Sequence, residues 1–254
     1  MTNRARSSTP VDAAGAAPLG ATAELTAPDQ DRRDLDPARR GCFITFEGIE
    51  GSGKSTQVLR LAARLRGAGR DAVATREPGG TDLGRELRAL LLDAAGSAIT
   101  PLGELLLYAA DRAQHLVDVV EPAIERGAVV LCDRYLDATL AYQGYGRELP
   151  LEWILDLHRI PPLDRRPHRT VLLDLDPIVG LTRARIRNDG EARSAAEGRF
   201  EKEDLEFHRR VRDGYLALAA AEPARFRILS AVGDPDAIED QVQDLLRDLL
   251  PETP

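Results

Sequence analysis

The run Gly48-Ile49-Glu50-Gly51-Ser52-Gly53-Lys54-Ser55 places glycines, a lysine and a hydroxyl where a bound phosphate needs them. Glycines let the backbone curl until several N–H groups, here those of Gly48 to Thr56, face one point. A helix beginning behind the loop adds the partial positive charge of its amino terminus. Lys54 can then bridge the outer phosphates of a triphosphate, and the Ser55 hydroxyl can ligate magnesium. Glu50 is the odd member, a carboxylate inside a cradle for anions. Asp133, at the end of a later apolar run, is suited to hold the same magnesium directly or through water. Arg76, Arg88, Arg112 and Arg134 offer planar forks matched to a second phosphate group.

These groups need elements that bring them together. Cys42–Phe46, Asp71–Thr75, Ala128–Cys132, Thr170–Leu175 and Phe226–Leu229 are short, continuous apolar runs and read as strands. Helical spacing predicts helices at Thr56–Gly69, Leu83–Leu92, Pro101–Arg126, Leu151–Leu157, Pro177–Arg187, Glu201–Ala221 and Asp234–Leu250. Such strands alternating with helices imply one doubly wound α/β domain, a parallel sheet covered on both faces. Right-handed crossovers bring the loops after the strands to one edge. The phosphate loop, Arg76–Thr81 and Asp133–Gln143 all follow strands, so all belong to that edge.

Composition bounds the alternatives. The chain has 254 residues and a net charge of −8, which disfavours a nucleic-acid partner but leaves room for a local arginine cluster. Residues 1–40 have no aromatic residue and no sustained periodicity, and are expected to be a disordered tail preceding a folded domain over 41–250. No apolar stretch is long enough to span a membrane and no secretory signal core is present, so a cytoplasmic location is expected. Cys42 and Cys132 read as small buried hydrophobes. The four histidines show no metal-ligand spacing and are expected to be structural or on the surface.

Five motifs, taken in order, carry a resemblance. Gly48–Ser55, Thr75–Thr81 (TREPGGT), Tyr108–Gln114 (YAADRAQ), Asp133-Arg134-Tyr135 and Ala141–Gly144 (AYQG) are together similar to the thymidylate kinases, over about 41–250. The resemblance implies a P-loop NTPase-type five-stranded parallel sheet with a mobile lid. It implies transfer of the γ-phosphoryl of ATP to dTMP with Mg2+, and a homodimer. By resemblance, Glu50 lies near the acceptor's 3′-hydroxyl; Arg76, Arg112 and Arg134 hold or orient the monophosphate; Arg88 serves base or phosphate; and Glu77-Pro78 forms a fixed turn, with a cis bond as an option. Tyr108 corresponds to the ring that stacks on thymine, Thr139 and Gln143 to base contacts, and Tyr142 to the ring that crowds the sugar's second carbon against ribonucleotides.

Arg183–Arg199 resembles the lid over ATP, with Arg183 on the ATP side and Asn188-Asp189-Gly190 as its hinge. The phosphate loop has no basic residue at its variable positions, so a lid arginine is expected to stabilise the transferred group. Arg199, followed by Phe200-Glu201, fits the pattern best, with Arg187 and Arg193 as rivals. Ala138 departs from the family, which usually has serine there. Two readings stand beside the kinase: another nucleotide kinase of the same fold, and a binding protein that turns over weakly or not at all.

Overall fold

The computed structural model describes residues 41–93, 98–190 and 198–250, with only the backbone of 188–190. The expected tail, residues 1–40, and Arg193 lie outside the described residues. The strands are β1 (Cys42–Glu47), β2 (Ala72–Arg76), β3 (Val129–Asp133), β4 (Arg169–Asp174) and β5 (Phe226–Ser230). They form one parallel sheet in the order β2-β3-β1-β4-β5. Apolar side chains on β1 and β3 alternate between two cores: Ile44, Phe46, Val129 and Leu131 face one, and Phe43, Val130 and Cys132 the other. Both faces therefore need helices, as the apolar strand pattern predicts.

The helices are α1 (Lys54–Gly67), α2 (Asp82–Leu92), α3 (Pro101–His115), α4 (Glu121–Glu125), α5 (Leu136–Thr139), α6 (Leu151–Leu157), α7 (Pro177–Gly190), α8 (Leu205–Ala221) and α9 (Pro235–Leu246). At the centre, β1 sends the chain towards β2 and its neighbour β3 sends it towards β4. Their carboxyl ends consequently open a crevice, where open α/β sheets bind ligands. Glu47 and Asp133 end these two strands.

Four departures from the sequence expectation bear on the site. The helix expected from Pro101 to Arg126 widens into a π-turn over Leu116–Val120, just before Pro122, which has no N–H to continue an α-helical ladder. The supposed loop after β3 becomes helical at Leu136 and widens again over Leu140–Gly146, so Thr139, Tyr142 and Gln143 share one helical face. Asp204 caps α8, its side chain accepting from the Phe207 N–H at 2.7 Å, so that helix begins at Leu205 and only a 3-10 turn covers Phe200–Lys202. The backbone of α7 remains helical through Gly190 rather than breaking at Asn188.

A buried ion pair fastens α5 to the sheet. Asp137, 1% exposed, takes a two-pronged contact from Arg225 at 2.6 and 2.9 Å and a hydrogen bond from the Thr170 hydroxyl at 3.0 Å. Arg225→Met would leave that carboxylate buried without its cation. We expect a loss of about 3–5 kcal/mol in urea unfolding, partly restored by adding Asp137→Asn; a loss below about 1 kcal/mol would show that the pair does not brace the fold.

Candidate active site

The phosphate loop leaves β1 and enters α1 through conformations that a side chain would block. Gly48 has φ 136° and Gly51 φ 73°, and a Cβ on either would strike a backbone carbonyl, that of Leu173 or of Gly180. Lys54 spans the loop, its Nζ donating to the Ile49 carbonyl at 2.7 Å and the Ser52 hydroxyl at 3.1 Å. Burial, helped by the Arg134 charge, pulls the Lys54 ammonium down to about 8 against the pull of Asp133 and Glu50. Ile49 and Ser52 are buried and off the cavity wall, so at these positions the backbone N–H is what the cradle can offer. Ser55 donates its hydroxyl hydrogen bond to Asp133 Oδ2.

That hydroxyl and carboxylate are hard oxygen donors, the kind magnesium takes alongside phosphate oxygens and water. No group of three or more His, Cys, Asp or Glu capable of holding a metal occurs among the described residues. The donor set thus fits a magnesium ion that arrives with a triphosphate, rather than one caged by the protein.

A single cavity of about 910 Å³ runs from this loop to a second polar cluster. Arg134 lies between the two. Its backbone has φ 70°, unusual for a residue with a side chain, and the flanking contacts hold it there. The Arg134 N–H donates to the Phe46 carbonyl at 3.0 Å, and the next N–H, of Tyr135, donates to Glu47 Oε1 at 2.7 Å. The guanidinium donates to Glu50 Oε1 and the Tyr142 hydroxyl, both at 2.9 Å, and to the Tyr215 hydroxyl at 3.3 Å. Tyr142 closes the triangle with a 2.6 Å hydrogen bond to the same Glu50 oxygen. Burial opposes a charge on Glu50, but Arg134, with His208 and Lys54, outweighs it and holds the carboxyl below its ordinary range.

The far end of the cavity is built on α3, α5 and the Glu77-Pro78-Gly79 turn, whose Glu77-Pro78 bond is cis. Arg88 reaches over this turn to the Pro78 carbonyl at 3.1 Å, and Arg76 lines the wall beside it. Arg112 is 1% exposed and braced three ways: to Glu77 at 2.8 Å, to Thr139 Oγ1 at 2.9 Å and to His158 Nε2 at 2.6 Å. It sits with the residues expected to contact the base rather than in the Glu50–Tyr142 triangle that holds Arg134. Tyr108, Thr139, Tyr142, Gln143 and Ala138 line the same cavity. Ala138 adds only a methyl there, and the neighbouring Thr139 hydroxyl is already engaged by Arg112.

The arginines after β4 separate. Arg187 reaches the cavity wall. Arg199, the best sequence match for a transfer arginine, is absent from that wall; it pairs with Glu104 at 2.7 Å and donates to the Leu91 carbonyl at 3.0 Å. Arg183 donates to the Ala231 carbonyl at 2.9 Å, linking α7 to the segment after β5.

Four participants escaped the sequence reading. Glu47 and Tyr215 brace Arg134, joined at 2.8 Å. Glu104 is a buried carboxylate on α3, legible as a charge on the apolar side of a helix. His208, expected to be structural or on the surface, is buried with Nδ1 3.5 Å from Glu50 Oε2 and Nε2 3.0 Å from the Phe200 carbonyl.

A phosphate-cradling loop between the first strand and first helix of this parallel sheet, with a carboxylate ending the adjacent strand, defines a P-loop nucleotide-binding protein. The thymidylate kinase family model matches residues 46–242. A thymidylate kinase of Solidesulfovibrio magneticus is 54% identical over 208 residues, covering 82% of this chain and 100% of that one. One from Geobacter sp. is 53% identical, covering 82% and 92%. The crystal structure of thymidylate kinase from Ehrlichia chaffeensis superimposes with a TM-score of 0.64 at 34% identity, covering 82% and 99%. The chain belongs to the thymidylate kinase family.

Lys54 supplies a pH test. An ammonium holds phosphate only when protonated, and burial in the free site favours losing the Lys54 proton above about pH 8. ATP affinity measured by titration calorimetry should be level below pH 8 and weaken above it, approaching about tenfold per pH unit, with proton uptake on binding. An affinity that is flat to pH 9.5 would contradict this assignment.

Proposed function

We propose that this chain transfers the γ-phosphoryl group of ATP to dTMP, giving ADP and dTDP, with residues 41–250 as the kinase domain. The observation that carries the reading is the Glu50–Arg134–Tyr142 triangle, which joins the phosphate loop to an arginine-lined second half of one cavity. A switch or a simple ATPase has no use for that second half.

The backbone of Gly48 to Thr56 and the Lys54 ammonium hold the donor phosphates. Arg134 and Arg76 orient the acceptor phosphate, with Arg88 beside the turn. Glu50 accepts from the sugar 3′-hydroxyl, and the Tyr142 ring, fixed through its hydroxyl, fills the space that a 2′-hydroxyl would need. Tyr108 stacks on the base, with Arg112, Thr139 and Gln143 at its edge and Pro78 flooring the turn. Ser55 and Asp133 would hold Mg2+ together with the donor phosphates, where its charge would offset that of the transferred group. Arg183 borders the ATP side. No general base is needed, since transfer between phosphate oxygens rests on alignment and charge.

Arg187, rather than Arg199, is the arginine we assign to the transferred phosphoryl, because it alone of the two reaches the cavity. Two further readings have separate support. Exposed Leu102, Leu106 and Val117, with Leu83 and Leu90 on the adjacent helix, suit burial against a second copy in a homodimer. The two free, buried cysteines suit a reducing cytoplasm.

A coupled assay with dTMP, dCMP, dGMP and UMP tests the reaction: dTMP should give the highest kcat/KM, and no preference for it would overturn the proposal. Tight dTMP binding without dTDP formation would instead indicate a non-catalytic binder. Arg187→Ala should lower kcat by roughly 1,000-fold. Arg199→Ala should lower it less than about tenfold, and the reverse order would return the role to Arg199.

A further inference from the structure

Buried carboxylates need a reason, and Glu104 has no part in holding phosphate. It is 0% exposed on α3 and takes cations from two sides: Arg199 pairs with Oε2 at 2.7 Å and Arg147 with Oε1 at 3.4 Å. Its third partner is the Gln143 side chain, whose Nε2 donates to Oε1 at 2.7 Å. Gln143 is itself 1% exposed and lines the cavity among the residues assigned to the base.

An amide has one end that donates and one that accepts. A carboxylate gripped by two guanidiniums can only accept, so Gln143 must turn its nitrogen towards Glu104. Its oxygen is the polar end left for the cavity. An acceptor at that point favours a base edge presenting N3–H, as thymine and uracil do, and opposes the N3 lone pair of cytosine. A site built for one hydrogen-bond polarity rejects the opposite one far more strongly than a site that merely fits by shape.

We propose that Glu104 is a positioning residue for base specificity, fixing the Gln143 amide so that the site selects a pyrimidine carrying N3–H. This rests on the dTMP-acceptor reading above. Arg147 and Arg199 act behind it: Arg147 also pairs with Glu203 at 2.7 Å and Arg199 holds the Leu91 carbonyl, so both guanidiniums are anchored independently of Glu104.

Glu104→Gln makes a signed prediction. The new amide keeps its oxygen towards Arg199, the closer cation, and so turns its nitrogen to Gln143. Gln143 then rotates and shows the base its own nitrogen. dUMP and dCMP carry the same sugar and lack the 5-methyl, so their kcat/KM ratio isolates the polarity of the base edge. In the full chain we expect that ratio to fall at least about tenfold, with the KM for ATP unchanged. In a Gln143→Leu background Glu104→Gln should no longer move it, because the amide through which Glu104 acts is gone. Glu104→Asp keeps the charge but withdraws it from Gln143, and should also lower the ratio; it carries the test if the glutamine variant does not fold. Equal losses for both nucleotides, or the same shift in the Gln143→Leu background, would overturn the proposal. A wild-type chain without preference for dTMP would overturn the acceptor reading itself, whereas intact dTMP preference with an unmoved variant ratio defeats the Glu104 role alone.

Discussion

The ion pair between Glu50 and Arg134 joins the two halves of the cavity. A guanidinium largely enclosed by Tyr142, Tyr215 and the phosphate loop, with its side chain 20% exposed, would be costly without a counter-charge close by. Glu50 supplies one from within the loop itself, which explains a carboxylate in an anion cradle. The pair ties the loop after β1 to the end of β3 across the crevice, and both partners hydrogen-bond the hydroxyl of Tyr142, a residue that lines the cavity. Arg134 sits in a left-handed backbone conformation, and hydrogen bonds on either side of it, one of them to buried Glu47, keep it there. Burial pushes the Glu47 carboxyl up to about 8, with Asp137 adding to the shift. A site whose central cation is fixed by packing before any nucleotide enters needs little reorganisation during phosphoryl transfer.

Much of this was legible in the sequence for physical reasons. Strands buried on both faces must be apolar throughout, so all five stood out, and their alternation with helices implied a parallel sheet. The glycine loop was legible because few other tasks require glycines, a lysine and a hydroxyl at that spacing between a strand and a helix. Glu50, Arg76, Asp133, Arg134, Thr139, Tyr142 and Gln143 followed from motifs placed after strands, whereas Arg88, Tyr108 and Arg112, which lie on helices, came to the site through the family resemblance.

What escaped the sequence depends on contacts distant along the chain. Whether Arg199 faces a phosphate or a carboxylate is decided by Glu104, 95 positions earlier by number, and no local pattern records that choice. Glu47 falls one residue beyond the expected strand Cys42–Phe46 and carries no motif, and its work on Arg134 depends on β3 lying beside β1. His208 reaches Glu50 only because α8 packs against the π-turn that carries Tyr142. The two π-turns also defeated periodicity, since each shifts the helical repeat locally while leaving the apolar content unchanged.

The central claim is that one cavity holds donor and acceptor together, joined at Glu50 and Arg134. A bisubstrate analogue, adenosine and thymidine linked through five phosphates, tests it directly by titration calorimetry. One molecule should bind per chain, more tightly than ATP or dTMP alone, and prior saturation with either nucleotide should compete with it. Binding no tighter than ATP alone, or unaffected by saturating dTMP, would mean that the two halves do not form a single site.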